Sequence, residues 1–352
     1  MSYEGHVTRL TADGELPWGD ADNPKVYSST YETSAPKIAS DGQGGAVLVW
    51  MDYNESDEYV LCVQRVDGDG NFLWNEGSPV YLSETGDADC PRIASTGDGG
   101  AIVMWYEDPD GYGVYGQKIN ADGGAEWDEG GVLIDTMANL STDSLDVAYD
   151  GAGGGYFTWV DDDTVYAQHI DDSGELAWES PVMMSLESEV EDVAQHPRKT
   201  VEDGLGGFIT AWYNGDNQVK AQRCGADGNV LWGEGGAVLS NGVSIYYGPK
   251  LASNGQGGAV AVWIDNRDVE LDALSEVALE ADGDTGQDVF IQGINADGEL
   301  GDPGYTAAPE TYRHHGNNEV LCFVSTAHTS SNYAGILILT AVCFGLCCLL
   351  RR

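Results

Sequence analysis

Positive charge is the scarcest feature of this 352-residue sequence. Fifteen Lys and Arg residues stand against 59 Asp and Glu residues, which leaves a formal net charge of −44. A nucleic-acid partner is excluded, because a phosphate backbone requires compensating Lys and Arg. A folded surface with this charge repels itself at low salt. A saline habitat, bound divalent cations and a solubilising coat on an exported protein each explain such acidity, and composition does not separate them.

The familiar signatures of catalysis are also missing. The sequence contains neither a His-Glu-x-x-His nor a Gly-x-Ser-x-Gly motif, and its six His residues show no metal-ligand spacing. The seven Cys residues do not form a disulfide framework, because three lie in an apolar C-terminal run and the others are scattered. We therefore expect no required cofactor, and a non-catalytic role is favoured over an enzyme.

Glycine-rich repeats organise the rest of the sequence. The phrase Pro-Lys-Ile-Ala-Ser-Asp-Gly-Gln-Gly-Gly-Ala-Val-Leu-Val-Trp covers 36–50, and related phrases end at Trp105, Trp159, Trp212 and Trp263. A second phrase, of the form Gln-Arg-Val-Asp-x-Asp-Gly followed by Trp, alternates with the first. Its copies lie at 8–18, 64–74, 117–127, 168–178 and 222–232, and a last copy at 292–300 lacks the Trp.

Each phrase predicts a β-hairpin, because Gly-rich turn chemistry separates two short apolar strands. Four strands in about 53 residues match the size of one β-propeller blade. The sequence therefore predicts an all-β fold, a β-propeller of five full blades plus a partial sixth over 1–303, followed by a C-terminal transmembrane helix. The predicted ranges are an N-terminal half-blade at 1–24 and blades at 33–85, 88–138, 142–190, 194–242 and 246–303.

The second phrase resembles the Trp-docking phrase of quinoprotein-like propellers and, more loosely, the Asp-box of sialidases. The repeat as a whole is similar to an exported bacterial β-propeller family with Asp-Gly-x-Gly-Gly-Ala…Trp-x-Asp phrases. In such proteins an outer-strand Trp packs against the neighbouring blade. The resemblance implies a blade-locking role for Trp50, Trp74, Trp105, Trp127, Trp159, Trp178, Trp212, Trp232 and Trp263.

The C-terminal segment predicts attachment to a membrane. Residues 333–350 are uncharged and mostly apolar, which is long enough for a helix to cross a bilayer, and Arg351 and Arg352 follow as a basic cytoplasmic end. Residues 304–332 are the predicted stalk. The stretch from Cys322 to Ala327 resembles the Cys-Phe-Ile-x-Thr-Ala box of some bacterial exported proteins. Together these features resemble a tripartite sorting signal, in which Cys322 is the expected anchoring residue.

The N-terminus carries no apolar signal sequence, although the tail predicts a location outside the cell. Half a blade also stands at this end without its other half. We therefore expect the true start of the protein to lie upstream of Met1.

Basic residues recur at one position of the first phrase. Lys37, Arg92, Arg198 (followed by Lys199) and Lys250 occupy it, and the third copy has Asp146 there. In a propeller the first strand of each blade lines the central channel, so these residues predict a broken basic ring that binds an anion or a carboxylate. The alternative is pairing within each blade to the acidic or amide residue two positions after the inner Trp. Those residues are Asp52, Glu107, Asp161, Asn214 and Asp265.

An acidic insertion in the last repeat suggests a Ca²⁺ site. Asp282, Asp284 and Asp288 alternate along a Gly-containing loop, and hard oxygen ligands of this kind suit Ca²⁺. The full EF-hand pattern is absent, so a solvated acidic turn is the alternative explanation.

These features predict a non-catalytic, membrane-anchored module on the cell surface that binds a glycan or a protein partner. One alternative is an exported polysaccharide-active hydrolase resembling a sialidase-like propeller. That activity requires acidic and Arg residues to converge at one mouth of the channel. Another alternative is a structural segment of a larger surface protein.

Overall fold

The chain folds into β-strands joined by turns, as a computed structural model shows. The described residues are 3–11, 13–18, 25–29, 36–53, 59–83, 88–107, 113–136, 144–186, 199–214, 216–241, 248–265, 277–279, 288–301, 323–327 and 335–339. Within these ranges there is one short 3-10 turn, Asn75–Gly77, and no α-helix. The prediction of an all-β class is confirmed.

Five four-stranded antiparallel sheets follow one another along the chain, after a two-stranded sheet of β1 (Tyr3–His6) and β2 (Lys25–Ser29). Sheet I contains β3 (Lys37–Ser40), β4 (Ala46–Tyr53), β5 (Tyr59–Val66) and β6 (Val80–Tyr81). Sheet II contains β7 (Asp89–Ser95), β8 (Ala101–Glu107), β9 (Gly113–Ile119) and β10 (Val132–Thr136). Sheet III contains β11 (Asp146–Tyr149), β12 (Gly155–Asp161), β13 (Thr164–Ile170) and β14 (Val182–Met183).

Sheet IV contains β15 (Lys199–Glu202), β16 (Phe208–Asn214), β17 (Gln218–Cys224) and β18 (Ala237–Asn241). Sheet V contains β19 (Lys250–Ser253), β20 (Ala259–Asp265), β21 (Val277–Leu279) and β22 (Asp288–Ile294). Sheets I to IV are meanders in which neighbouring strands follow each other in sequence. Sheet V departs from this order, because β22 pairs with β20 and the strand from the insertion, β21, takes the outer edge.

The first-phrase turn shows why these residues fold locally. In sheet I the backbone of Asp41 pairs with Gly45, and the Asp41 carboxylate accepts the N–H groups of Gln43 and Gly45. Gly42 and Gly44 have positive φ angles, a region that glycine enters without the penalty of a Cβ. The same arrangement recurs at Asp150, Asp203 and Asn254. The repeated phrase therefore encodes a repeated hairpin.

Consecutive sheets pack face to face through apolar cores. The core between sheets I and II joins Val47, Val49 and Trp74 of one sheet to Val103 and Trp105 of the next. Equivalent cores fill the three remaining junctions between consecutive sheets. The first strand of each sheet lies beside the first strand of the next, from β3 through β7, β11 and β15 to β19. This arrangement is that of consecutive propeller blades, with the first strand innermost.

The predicted membrane helix is not supported by the described part of the tail. Gly335–Leu339, here β24, is a strand paired antiparallel with β23, Phe323–Ala327. A short aliphatic run suits either a helix or a strand, so the sequence alone does not distinguish the two for these five residues. Over the described ranges, no helix is both long and apolar enough to cross a membrane. The rest of the predicted span, the end pair 351–352 and Cys322 lie outside the described residues.

Candidate functional site

A cavity of about 380 Å³ lies where the innermost strands of sheets II to V meet. Its wall is largely aliphatic, with Ile93, Val147 and Leu251 contributed by three different sheets. Lys199 and Glu202 of β15 add polar groups to the same cavity. This volume lies within the range of small-ligand pockets, and few polar groups on an apolar wall are typical of them.

The repeat places one residue of each innermost strand at an equivalent register position. In each sheet this residue pairs with the residue that immediately precedes the inner Trp. The five pairs are Lys37 with Val49, Arg92 with Met104, Asp146 with Thr158, Lys199 with Ala211 and Lys250 with Val262. We call Lys37, Arg92, Asp146, Lys199 and Lys250 the ring residues. Four carry positive charge, in a chain with few cations.

The register assigns Lys199, and not Arg198, to the fourth ring position. Arg198 lies outside the described residues, and β15 begins at Lys199. The prediction aligned Pro197 with the Pro of the other copies, although this copy has one extra residue between the Pro and the inner Trp. Counting back from Trp212 would have identified Lys199 from sequence alone.

The strand register places Arg92 and Glu107 on opposite faces of sheet II. Residues directly opposite each other in an antiparallel pair share a face, and successive residues alternate faces. Arg92 lies opposite Met104, so Glu107, three positions further, points to the other face of sheet II. There the Glu107 carboxylate accepts the Trp105 indole N–H at 2.9 Å and the Ser83 hydroxyl at 2.8 Å. The same three-residue offset separates Val49 from Asp52, Thr158 from Asp161 and Ala211 from Asn214.

An ion pair joins two ring residues of neighbouring sheets. The Lys199 Nζ atom lies 3.4 Å from the Asp146 Oδ2 atom, and the backbone N–H of Thr200 donates to the same carboxylate. Hydroxyl contacts between Thr158 and Thr200, at 2.7 Å, and between Thr200 and Thr210, at 3.1 Å, continue this connection between sheets III and IV. Asp146 therefore holds the two innermost strands together.

The charges of the ring act on one another. Partial desolvation by neighbouring protein atoms lowers the pKa of Lys250. The positive charges of Lys199, Arg92 and Lys37 lower this pKa as well, whereas Asp146 raises it. Residues from five sheets therefore share one electrostatic environment.

The Trp residues of the second phrase connect each sheet to the next. Each indole N–H donates to a backbone carbonyl in the second-phrase turn of the following sheet. The contacts are Trp18 to Gly68 (3.0 Å), Trp74 to Ala121 (2.9 Å), Trp127 to Asp172 (3.3 Å), Trp178 to Ala226 (2.9 Å) and Trp232 to Ala296 (3.0 Å). The ring of Trp74 lies against Gly123, where a Cβ would stand 2.6 Å from the Trp Cγ atom.

The inner Trp residues are buried in the cores between sheets. Trp50, Trp105, Trp159, Trp212 and Trp263 are each at most 2% exposed. Trp105 stacks on Tyr115 and Trp159 stacks on Tyr166, with ring centroids 5.9 and 6.1 Å apart. These contacts contribute to the packing between strands and sheets and leave the cavity free for another role.

A cation on the third strand forms a further contact between sheets that the sequence analysis missed. Arg65 donates to Asp41 of its own sheet and to the Ala121 carbonyl of the next. Burial raises the pKa of Asp41, but N–H donors and Arg65 lower it by more, so the net shift is downward. Sheet III has His169 at this position, with Nε2 2.9 Å from Asp150 Oδ2. Arg65 and His169 each directly follow the Gln of the second phrase, and this position could have identified them from sequence.

The predicted Ca²⁺ residues fall largely outside the structural description. Asp282 and Asp284 are not among the described residues, and Asp288 is the first residue of β22. Within the described ranges, no three His, Cys, Asp or Glu side chains are grouped to hold a metal ion. The Ca²⁺ site remains a prediction.

No protein-family model and no curated protein sequence matches the chain. Solved structures similar to it include the BP39L lectin from Burkholderia pseudomallei, at 9% identity and a TM-score of 0.47, covering 77% of this chain and 69% of the lectin. They also include the GH43_1 enzyme from Xanthomonas citri, at 11% identity and a TM-score of 0.37, covering 78% and 90%. TolB from Acinetobacter baumannii matches at 14% identity and a TM-score of 0.33, and the match spans 75% of this chain and 64% of TolB. These are β-propeller proteins, and the low scores leave the fold assignment to the sheets themselves.

Proposed function

We propose that this chain is a non-catalytic binding module that takes a glycan or a protein partner at its central cavity. The observation that carries the proposal is that cationic ring residues from four sheets lie close enough to act on one another, and that one of them, Lys199, lines the cavity. Contacts between sheets account for the second-phrase Trp residues, whereas the Lys199 side chain contributes to the cavity. Rigid sheets with such a cavity suit recognition, because little conformational entropy is lost on binding.

Hydrolysis is the second candidate, because the Glu202 carboxylate lines the cavity and Asp146 contacts Lys199, another lining residue. Glycoside hydrolysis uses two carboxyl groups that flank the scissile bond. Asp146 already contacts Lys199 and Thr200, and Glu202 accepts the backbone N–H of Gly204. Both groups are therefore used by neighbouring protein atoms, which favours binding over hydrolysis.

A glycan array probed with the labelled full chain tests this proposal. We expect binding to a defined set of glycans, and loss of that binding in Ala94→Trp, which fills the cavity wall. Ala177→Trp, on an exposed second-phrase turn, is the matched control and should bind as the unmodified chain does. Thermal melting verifies that both variants fold. If Ala94→Trp binds the same glycans as tightly as the unmodified chain, the cavity is not the binding site.

A hydrolysis assay on any glycan that binds separates the two candidates. The binding proposal predicts that the glycan is recovered intact after prolonged incubation. Release of a shortened product, abolished by Glu202→Gln or Asp146→Asn, would establish the hydrolase instead.

We further propose that the module is displayed outside the cell and attached through 333–350. The support is the uncharged apolar run followed by Arg351 and Arg352. Alkaline extraction of membranes from cells that make the full chain should leave the protein in the membrane, and a chain ending at residue 332 should be released. Release of the full chain would contradict the proposed attachment.

A further inference from the structure

The ring residues bring four positive charges near one another, and Lys199 among them lines the cavity. Lys199 and Lys250 belong to adjacent innermost strands, β15 and β19, and Arg92 and Lys37 occupy the same register position further round. The overall charge of −44 makes this concentration unusual, since an acidic surface elsewhere repels anions.

Asp146 is the one acidic member of the ring, and its contacts are already defined. Its carboxylate binds Lys199 and the Thr200 backbone N–H across the junction of sheets III and IV. It therefore fixes the position of Lys199 and offsets one of four positive charges. The Glu107 carboxylate, two residues after Trp105, lies on the opposite face of sheet II from Arg92 by register and accepts the Trp105 indole N–H there.

The wall behind the opening is apolar. Ile93, Val147 and Leu251 line the cavity below the ring. A small inorganic anion would contact the ring but leave this wall unused. A ligand with an anionic group on a small organic body would use both, because the body displaces water from aliphatic side chains.

We propose that the cavity opening recognises a carboxylate on a sugar, so that the module selects acidic over neutral glycans. This inference rests on the proposed binding function and names the ligand class for the same site. Lys199 and Lys250 bind the carboxylate, Asp146 positions Lys199, and the sugar ring packs on the aliphatic wall.

Calorimetric titration of the full chain with D-glucuronate, D-glucose and inorganic phosphate tests the inference. We expect glucuronate to bind at least about tenfold more tightly than glucose, and its affinity to fall as salt increases. Lys250→Met and Lys199→Met should each weaken glucuronate binding by about tenfold, a typical effect of one charged hydrogen bond. Lys118→Met is the matched control, because Lys118 pairs with Glu126 and Asp172 away from the cavity.

Proton linkage gives a readout that a purely structural lysine would not move. A bound carboxylate favours the protonated form of Lys250, whose neighbours are Lys37, Arg92, Asp146 and Lys199. Titrations near pH 9 in two buffers of different ionisation enthalpy should therefore show proton uptake on binding. This uptake should disappear in Lys250→Met.

Each outcome separates this inference from the proposed function. Equal affinity for glucose and glucuronate would overturn the inference and leave the cavity as a neutral-sugar site. Equal affinity for phosphate and glucuronate would overturn the sugar acid as the ligand. Unchanged glucuronate affinity in a folded Lys250→Met variant, or no glucuronate binding by a chain that binds neutral glycans on the array, would also overturn it.

Discussion

Gly204 and Gly151 offer a matched pair for testing how neighbouring sheets are joined. Both are first-phrase turn glycines with nearly identical backbones, at φ +76 and φ +77. A Cβ at Gly204 would overlap the backbone of Gly255 in sheet V, whereas nothing lies within 4 Å of one at Gly151. The two Ala variants therefore share the backbone strain and differ in the contact between sheets.

The expected magnitudes follow from these contacts. Ala in the left-handed region costs about 1–2 kcal/mol at both positions. Gly204→Ala adds a backbone clash of about 1–3 kcal/mol. It also strains the hydrogen bond from the Gly257 N–H to the Asp203 carbonyl, 2.7 Å long, at a cost of about 1 kcal/mol. We therefore expect Gly204→Ala to be about 2–4 kcal/mol less stable than Gly151→Ala.

Thermal unfolding by calorimetry measures the difference. The sheets comprise about 300 residues, for which the unfolding entropy is about 0.6 kcal/mol/K, so the gap corresponds to a midpoint about 3–6 °C lower for Gly204→Ala. Equal midpoints for the two variants would refute close backbone packing between the turns of sheets IV and V. Near-native stability of both would refute the assigned turn conformation as well.

Two further predictions concern buried polar groups. Trp105→Phe should destabilise the protein by about 1–3 kcal/mol more than Trp212→Phe. The reason is that Glu107 loses an indole donor in the first variant, whereas the Trp212 N–H has no partner in the described structure. Urea unfolding of both variants measures the two losses of stability, and equal losses would contradict the prediction. Burial raises the pKa of Asp150, but its hydrogen bonds to His169 and backbone N–H groups lower it by more, so the net pKa lies below 3.8. The stability this shift contributes is fully present above pH 3.8 and is lost as pH falls through the folded-state pKa. The midpoint gap between the unmodified protein and Asp150→Asn should therefore narrow below pH 4, and a constant gap would contradict the assignment.

Most of the fold was predictable from the repeated phrases. The first phrase contains its own turn, with an Asx side chain that bonds the backbone and glycines at positive φ, so each hairpin is legible from sequence. The order of strands in sheet V could not be predicted from the sequence. The insertion supplies β21 to the outer edge, and no repeat marks a strand that arises outside the repeated phrases.

The candidate site was predictable in outline only. The ring position follows from the repeat, but one inserted residue shifts every face of a strand, and the register places Lys199 at the position for which Arg198 was predicted. Arg92 and Glu107 lie on opposite faces of sheet II. This follows only from the strand register, which the sequence alone does not provide. The Asp146–Lys199 pair joins two sheets, and a contact between repeats leaves no local signature in either.

A crystal structure of the full chain grown with glucuronate is the most direct test of the proposed binding site. We expect ligand density at the cavity opening, with the carboxylate within hydrogen-bonding distance of Lys199 and Lys250. We also expect the sugar ring to lie against Val147 and Leu251. Ligand bound on an outer turn with the cavity filled only by water would contradict the central claim.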